Sequence, residues 1–533
     1  MQTPRLGIRG WLVLVSLPTA FLTVQTVGLI WLGGSFGPFI DPDAAYYFAA
    51  INFDAGNSIR FLYHPGVSLI VFGGAVIGGA SKLLYSGSFG ANSLLHFDSL
   101  MLIARFSVAL FTSSCSLIAG ILVARASCSV PLGLALQAGL FSSANAVTFG
   151  ARLMPEPFLV GIASLLVAVT FCAALKNFVS MRLSILAGAL AIIGVATKIL
   201  FLPFVLLYPI AVGFRTRPQV TYVAAMAVSL IVALLPAWKE LQIFTTYIDS
   251  IAHAKGAYGS GERGFIDYGA AVAALSRMGR DYWIALLAAA VSLLILTRPA
   301  GSVGGSLIVR TVIAMASVLF ASIALVSKQY SAYYLVPAIS IVPFMLAVAV
   351  TYSRLTRERR PRVHFSSLCI GVIIVQLIAA RVLTAHQFYA ESSAIKGAEA
   401  AVEKPLMALR SSCYVLPSYS VGLFEYPIVF GFIYANRNDD QVTFYNKAIR
   451  LSFDRVLLNY DYFNRAVFIP GDMRDVNSVV PADACIAVVS SYPLFSDQLP
   501  FKSPVDDICR VGEIRVALIR RSCSDLNLPR QVD

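Results

Sequence analysis

The amino-acid sequence predicts an α-helical polytopic membrane protein with about 11 transmembrane helices, additional juxtamembrane helices, and a small C-terminal soluble domain of mixed α/β structure. Of its 533 residues, 58% are hydrophobic and 13% are charged, which is far from the balance of ordinary soluble domains. Apolar runs near the roughly 20 residues that a bilayer requires recur up to residue 386. From residue 388 the hydrophobic density falls, and short strand-like runs are separated by Pro, Asp and Asn.

The apolar runs define the predicted spans. The first run is longer than the core of a signal peptide and is not followed by a small-residue cleavage site, so we interpret it as a retained helix. A further apolar segment, 65–85, is rich in glycine. Whether it crosses the bilayer determines on which side of the membrane each later loop lies. The predicted spans are 11–33, 99–123, 130–149, 157–175, 183–198, 199–214, 219–237, 281–297, 307–327, 331–352 and 364–386.

The orientation is predicted from the basic residues, because Lys and Arg in short loops favour the cytoplasmic side. If Arg5 and Arg9 are cytoplasmic and 65–85 does not cross, the other basic clusters also become cytoplasmic, including the arginine run at 354–362. We therefore predict that 65–85 is a juxtamembrane or re-entrant helix at the outer surface. Cysteine labelling at positions 90 and 358, which should lie outside and inside respectively, would test this topology.

Two domains follow from this topology. Residues 1–387 form a domain in the inner (plasma) membrane, with a first exoplasmic loop at 34–98 and a long exoplasmic loop at 238–280. Residues 388–533 form the exported, periplasmic domain, and the N-terminus is cytoplasmic. The four cysteines of the exported domain allow three pairings and fit an oxidising compartment, with free thiols as the alternative. They are Cys413, Cys485, Cys509 and Cys523.

The formal net charge of +13 does not indicate a nucleic-acid partner. The basic residues lie in short clusters beside apolar runs, which is typical of cytoplasmic membrane flanks. The sequence therefore predicts a lipid bilayer as the partner of the charged residues and no nucleic acid.

The loop after the first span concentrates acids in an otherwise apolar chain. Asp41 and Asp43 bracket a proline, which should hold both carboxylates outside a helix. Asp43 precedes a predicted helix at 44–53, so an N-cap is the alternative to a catalytic role. The pair also resembles ligands of a divalent cation, although no cofactor is assigned. Glu156 lies between two prolines at another outer boundary, where a helix-start charge paired locally with Arg152 is the structural alternative.

Several cations lie on the same predicted side as these acids. Arg105 lies inside a span, where a charge costs roughly 2.5–3.5 kcal/mol. Lys198 lies between two apolar runs, and Lys328 begins another. Snorkelling to the surface is the alternative for each of them. Together with the acids, they indicate a site that holds an anion at membrane depth. His64 is a candidate base, metal ligand or phosphate donor, or it is structural.

In their order and spacing, these features resemble the GT-C superfamily of membrane glycosyltransferases, particularly the branch with the protein O-mannosyltransferases and the bacterial transferases that put aminoarabinose on lipid A. The resemblance extends over residues 1–350. Its features are Pro42-Asp43, Tyr63-His64-Pro65, Arg105, Arg152 with Pro155-Glu156-Pro157, Ala196-Thr197-Lys198 and Tyr333-Tyr334-Leu335-Val336-Pro337.

The resemblance implies roles for individual residues. Asp43 corresponds to the catalytic base, and Glu156 to a second catalytic acid, where many relatives have Asp. Lys198 corresponds to a residue associated with the donor phosphate. Aminoarabinose transferases have a lysine where this chain has His64. The residues predicted to bind substrate are Asp41, His64, Arg105, Arg152, Lys198, Lys328 and Tyr334.

The function that this resemblance implies is transfer of a sugar, with inversion, from a polyprenyl-phosphate donor to a hydroxyl of a lipid, polysaccharide or protein acceptor at the exoplasmic face. A transporter or flippase of lipid-linked sugars is the main alternative, since it would also need many helices and interfacial cations. Transporters place binding groups near the midplane and often contain repeats, whereas here the charges gather at one face and no repeat is evident. A structural assembly protein with an exported partner-binding domain is a third reading.

Overall fold

The computed structural model describes most of the membrane-embedded part of the chain and portions of the C-terminal part. The described residues are 7–33, 42–62, 66–87, 89–175, 180–213, 216–253, 267–296, 303–328, 330–355, 381–390, 392–393, 409, 412–418, 459–461, 466–469, 472–475, 480–481, 483–490, 507–511 and 514–526. Contacts divide the chain into two compact units. Unit 1 comprises Met1–Gly28, Leu62–Leu69 and Phe106–Gln387, and unit 2 comprises Leu29–Phe61, Ile70–Arg105 and Phe388–Asp533.

Helices make up most of the described chain. In chain order they are α1 Ile8–Leu32, α2 Asp43–Asp54, α3 Val67–Leu84, α4 Phe89–Leu95, α5 Phe97–Ser127, α6 Val130–Gln137, α7 Ala144–Thr148, α8 Pro155–Leu175, α9 Met181–Thr197, α10 Leu207–Val212, α11 Thr216–Leu234, α12 Leu241–His253, α13 Tyr268–Leu296, α14 Val303–Val326, α15 Val336–Ser340 and α16 Val342–Leu355. Between them lie 3-10 segments at Ala138–Phe141, Ile199–Leu206, Leu235–Glu240 and Ala332–Leu335. Residues 381–390 are also helical.

The structure confirms a polytopic helical membrane protein. Within the described residues, 8 helices are long and apolar enough to cross a bilayer, and three shorter apolar helices lie at Val130–Phe141, Met181–Thr197 and Ile199–Val212. One of the 8 is α3, which corresponds to the predicted segment 65–85. Its assignment as a juxtamembrane helix therefore remains a prediction. Most of the predicted span 364–386, namely residues 364–380, lies outside the described residues.

Two segments differ from the predicted arrangement. The apolar run 130–149 divides into α6, a 3-10 turn and α7, because Ser143 accepts a hydrogen bond from the amide of Ala146 at 3.0 Å and starts a new helix there. Much of the predicted loop 238–280 is helical, since α12 ends at His253 and α13 begins at Tyr268. Asp267 caps α13 by accepting from the amide of Ala270 at 2.9 Å. The polar residues of α13 lie at 276–281 and shortened its apolar run, and the helix is kinked directly after them at Tyr282, where φ is −132° and ψ is 18°.

The C-terminal part contains the predicted sheet structure. The strands are β1 Cys413–Ser418, β2 Asn459–Asp461, β3 Ala466–Ile469, β4 Asp472–Asp475, β5 Cys485–Ser490, β6 Asp507–Val511 and β7 Ile514–Ile519. One sheet has the order β1-β5-β7-β6 and the other β2-β3-β4. The β1 and β5 strands are parallel, and the other pairings are antiparallel. The core of the first sheet is formed by consecutive buried residues of its two central strands, 485–489 in β5 and 516–519 in β7.

Disulfides resolve the pairing that the sequence left open. Cys413 bonds to Cys485, which is its register partner on the neighbouring strand, and Cys509 bonds to Cys523. The alternative of free thiols in this part of the chain is therefore wrong. Among the described residues of the membrane part, the free cysteines are Cys115, Cys128 and Cys172.

Candidate active site

Asp43 is the first residue of α2 and lies in unit 2. The residue before the helix is Pro42, and no side chain caps this helix end through a hydrogen bond, so the N-cap alternative for Asp43 is not what the structure contains. Its side chain is instead 0% exposed, and Oδ2 accepts a hydrogen bond from an Arg105 guanidinium nitrogen at 2.8 Å. Arg105 is itself 4% exposed. A predicted catalytic acid and a predicted phosphate-binding cation therefore form a buried ion pair.

The Arg105 guanidinium also has neighbours from other parts of unit 2. It lies 3.5 Å from the carbonyl oxygen of Gly33, at the end of α1. Tyr389 is close enough for the positive charge of Arg105 to act on its hydroxyl. Burial raises the pKa of Tyr389, and the charge of Arg105 opposes that rise. Sequence reasoning missed Tyr389, because an aromatic residue beyond the last apolar run carries no local signal of such a contact.

Aromatic packing holds α2 in place within unit 2. The rings of Tyr46 and Phe61 meet edge to face with centroids 5.0 Å apart, and those of Tyr47 and Phe97 meet in the same way at 4.7 Å. The hydroxyl of Tyr47 donates to the carbonyl oxygen of Ser93 at 2.9 Å. Residues 43–52 are all buried. This packing fixes the first turn of α2 and with it the direction of the Asp43 carboxylate.

Glu156 and Lys198 form a second buried ion pair, which lies in unit 1. Glu156 is in the first turn of α8, where a proline at the first helical position favours the helix start and a negative charge suits the helix dipole. Lys198 has an extended backbone, with φ −160° and ψ 133°, between the end of α9 and the 3-10 segment. Its Nζ donates a hydrogen bond to Oε1 of Glu156. Both side chains are almost completely buried.

The Lys198 ammonium also faces two aromatic rings. It lies 4.1 Å from the ring centroid of Tyr334 and 5.9 Å from that of Tyr333, within the range of cation–π attraction. The segment before α3 reaches the same place, because the amide of Gly66 donates to the carbonyl oxygen of Thr197 at 3.0 Å. The three predicted features Glu156, Lys198 and Tyr334 are thus brought together by contacts within unit 1.

A small pocket lies beside this ion pair, with a cavity volume of about 10 Å³. Two buried oxygens at the pocket have no hydrogen-bond partner among the described residues, namely Oε2 of Glu156 and Oγ of Ser322. Ser322 was not among the predicted site residues, since one serine in an apolar helix gives no sequence signal. The lining residues are Glu156, Leu159, Lys198, Leu200, Phe201, Phe204, Ser322, Tyr334, Pro337 and Ala338.

Four other residues were predicted to bind substrate, namely Asp41, His64, Arg152 and Lys328. Glu156 pairs with Lys198, and the Arg152 guanidinium lies 5.4 Å from the ring centroid of Phe149. The substrate-binding role of Arg152 stays a prediction. Lys328 lies half-buried in the turn after α14. Asp41 and His64 lie outside the described residues, and their roles remain predictions.

The possible divalent cation also remains open. Across the described ranges, no three or more His, Cys, Asp or Glu side chains are grouped so that they could hold a metal ion. Asp41, the partner of Asp43 in the predicted ligand pair, is not among the residues that the structure describes.

Comparison with known proteins identifies the fold. The sequence matches no protein-family model and no curated protein. The crystal structure of ArnT from Cupriavidus metallidurans in the apo state matches with a TM-score of 0.52 and 13% sequence identity, covering 97% of this chain and 99% of ArnT. The chain has the same fold as ArnT. ArnT bound to undecaprenyl phosphate matches with a TM-score of 0.50, 14% identity and the same coverage.

A more distant likeness is to the archaeal oligosaccharyltransferase AglB from Archaeoglobus fulgidus, in complex with an inhibitory peptide and a dolichol-phosphate. The TM-score is 0.43 with 12% identity, covering 77% of this chain and 63% of AglB. That similarity is too low to support any conclusion about this chain. The likeness to ArnT confirms the predicted resemblance at the level of the fold, over nearly the whole of both chains.

Proposed function

We propose that this protein is a membrane glycosyltransferase that moves a sugar from a polyprenyl-phosphate donor to a hydroxyl of an envelope acceptor at the exoplasmic face. The observation that supports this function best is the buried pair of Asp43 and Arg105, two residues for which the GT-C resemblance implies a base and a contact with the substrate. The GT-C fold adds support, because ArnT binds undecaprenyl phosphate.

The proposed reaction is a single displacement with inversion. Asp43 takes the proton of the acceptor hydroxyl while that oxygen forms a bond to the anomeric carbon. The bond between the anomeric carbon and the phosphate oxygen breaks, and polyprenyl phosphate leaves with both electrons of that bond. Arg105, which contacts Asp43, stabilises the negative charge that develops on the leaving phosphate, as fixed cations do in other transfer reactions.

Both cations are paired with acids, and this pairing supports the proposed mechanism. A buried charge without a partner is very costly, so each acid keeps its cation at membrane depth before the donor arrives. A guanidinium has five donor hydrogens in a planar fork. Arg105 can therefore donate to the phosphate while it still contacts Asp43.

The exoplasmic location is supported by the C-terminal disulfides. Two disulfides in one small domain are typical of an oxidising compartment, such as the periplasm. An exported C-terminal domain also agrees with the charge-based orientation, in which the N-terminus is cytoplasmic. Asp43 then lies on the same side of the inner membrane as the C-terminal domain.

Transfer can be measured with purified protein in proteoliposomes, given radiolabelled polyprenyl-phosphate sugars and an envelope lipid fraction as acceptor. We expect Asp43→Asn to lower the transfer rate by about 10²–10⁴-fold, since a positioned base typically contributes that much. Asp98→Asn is the matched control, because Asp98 is another aspartate in the first turn of a helix of unit 2 but is only partly buried. It should retain transfer.

Three outcomes would contradict the proposal. Near-normal turnover by Asp43→Asn would remove Asp43 as the base. Unmodified donor that crosses the bilayer, without transfer, would indicate a flippase. Loss of polyprenyl-phosphate binding together with a lower melting temperature in Asp43→Asn would assign the residue to stability rather than to catalysis.

A further inference from the structure

We infer that the pocket beside Glu156 and Lys198 is a subsite for a single hydroxyl group of the donor sugar, and that Ser322 determines specificity there. This inference rests on the proposed function, because it assumes a lipid-linked sugar as the ligand. It concerns a non-reacting hydroxyl, so it is separate from the assignment of Asp43 as the base.

Two oxygens at the pocket favour a hydrogen-bonding group. Oε2 of Glu156 and Oγ of Ser322 are buried, and neither has a hydrogen-bond partner among the described residues. The two residues are 1% and 4% exposed. A buried polar atom without a partner costs free energy. A ligand that supplies the missing hydrogen bonds therefore gains affinity at this place.

The rest of the lining restricts where those bonds can form. Leu159, Leu200, Phe201, Phe204 and Ala338 present apolar side chains to the pocket. The cavity itself measures about 10 Å³, which is roughly the space that one water-sized group needs. The pocket is therefore suited to one polar group at the edge of a larger ligand rather than to a whole lipid-linked sugar.

The charges at the pocket favour a hydroxyl over an ammonium. Glu156 and Lys198 together are neutral, and adding a cationic group would leave one uncompensated buried charge. A hydroxyl adds no charge. It can donate to Oε2 of Glu156, which only accepts, and accept from the Ser322 hydroxyl, which can donate. A hydrogen atom in its place would leave both oxygens without a partner.

The test compares analogues of whichever polyprenyl-phosphate sugar the wild-type protein transfers. Each ring hydroxyl is replaced in turn by hydrogen and by an amino group, and kcat/KM is measured for the wild type and for Ser322→Ala. We expect one position at which the deoxy and amino analogues lose about 10–100-fold in the wild type, as expected for a hydrogen bond to a charged group. Ser322→Ala should lower transfer of the parent sugar by about 2–10-fold and should reduce the discrimination at that position alone.

Ser164→Ala is the matched control. Ser164 is also 4% exposed in a membrane helix, but its Oγ donates to the carbonyl oxygen of Val160 at 2.9 Å and does not line the pocket. It should leave the preference among analogues unchanged. If Ser322→Ala affects all analogues by the same factor, or if no single hydroxyl matters in the wild type, the inference is wrong while the proposed function stands. If the wild type transfers no polyprenyl-phosphate sugar, both are wrong.

Discussion

At the residue scale, four buried charges are arranged as two pairs. Glu156 and Lys198 are 1% and 3% exposed, and Asp43 and Arg105 are 0% and 4% exposed. Removing one member of a buried pair typically costs about 3–5 kcal/mol, because the remaining charge is left without compensation. Replacing both members by neutral groups costs much less. Measurements of the free energy of unfolding should therefore detect each pair, whether or not the protein's activity can be assayed.

A double-mutant cycle tests the pairing of Glu156 and Lys198. We expect Glu156→Gln and Lys198→Met each to lower the free energy of unfolding by about 3–5 kcal/mol, and the double variant to lose less than the sum of the two. Denaturation of the purified protein in detergent measures all three. Effects that simply add would contradict a direct pair. A cycle between Lys328 and Glu156, made in the same way, provides the comparison.

Sequence reasoning selected the charged residues of the site but not all of their partners. A charged residue within or beside an apolar run costs free energy whichever residue it pairs with. Arg105 and Lys198 could therefore be recognised from their positions in the sequence. The partner depends on which helices are neighbours in the fold. Arg152 was the suggested local partner of Glu156 because it is close in sequence, whereas the structure brings up Lys198 from 42 residues away. Ser322 and Tyr389 carry no such cost in the sequence, and only the fold reveals their contacts.

At the element scale, the segment before α3 depends on one glycine. Gly66 has φ +65°, in the left-handed region, and its amide donates to Thr197, the residue before Lys198. A side chain at this position would be strained by about 1–2 kcal/mol. The hydrogen bond between this segment and the last residue of α9 therefore depends on a glycine at position 66.

We expect Gly66→Ala to lower the melting temperature and to weaken polyprenyl-phosphate binding, because the strained turn would shift the backbone beside Lys198. Thermal unfolding and a lipid-binding assay in detergent would show both effects. Gly79→Ala is the control within α3, because a methyl group there would contact nothing within 4 Å. Its stability should be unchanged or slightly higher. Equal behaviour of the two variants would contradict the role of Gly66.

Most elements were predictable, because long apolar runs and short alternating runs specify helices and strands locally. The predicted runs 485–489 and 514–519 are β5 and β7, which pair with each other. What could not be predicted is the parallel pairing of β1 with β5, since their starting cysteines are 72 residues apart. Close packing within the run 130–149 was equally hidden from the sequence, because a methyl group on Gly139 would clash with the carbonyl oxygen of Ser340.

At the scale of the whole molecule, the sidedness depends on α3. By length and composition α3 can cross a bilayer, whereas the distribution of basic residues predicts that it does not. If α3 crosses, every later helix changes direction. The composition of α3 alone does not distinguish the two, because a glycine-rich apolar helix is compatible with a span and with packing on protein at the surface.

Labelling with a membrane-impermeant maleimide would resolve the orientation. Residue 90 is buried, so the exposed Ser86 is the better position before α4. In a background with Cys128→Ser and Cys369→Ser, we expect Ser86→Cys to react in intact spheroplasts and Glu358→Cys to react only after permeabilisation. The reverse pattern would mean that α3 spans the membrane. Each variant must retain wild-type transfer, so that the labelled protein is known to be folded.

The bond between Cys413 and Cys485 also affects how a preparation of this protein should be judged. A protease that cuts the chain anywhere between these two cysteines leaves both fragments covalently attached. Such nicked molecules would run as one band on a gel without reductant and would separate only after the thiols are released. Intactness of the purified chain must therefore be assessed under reducing conditions.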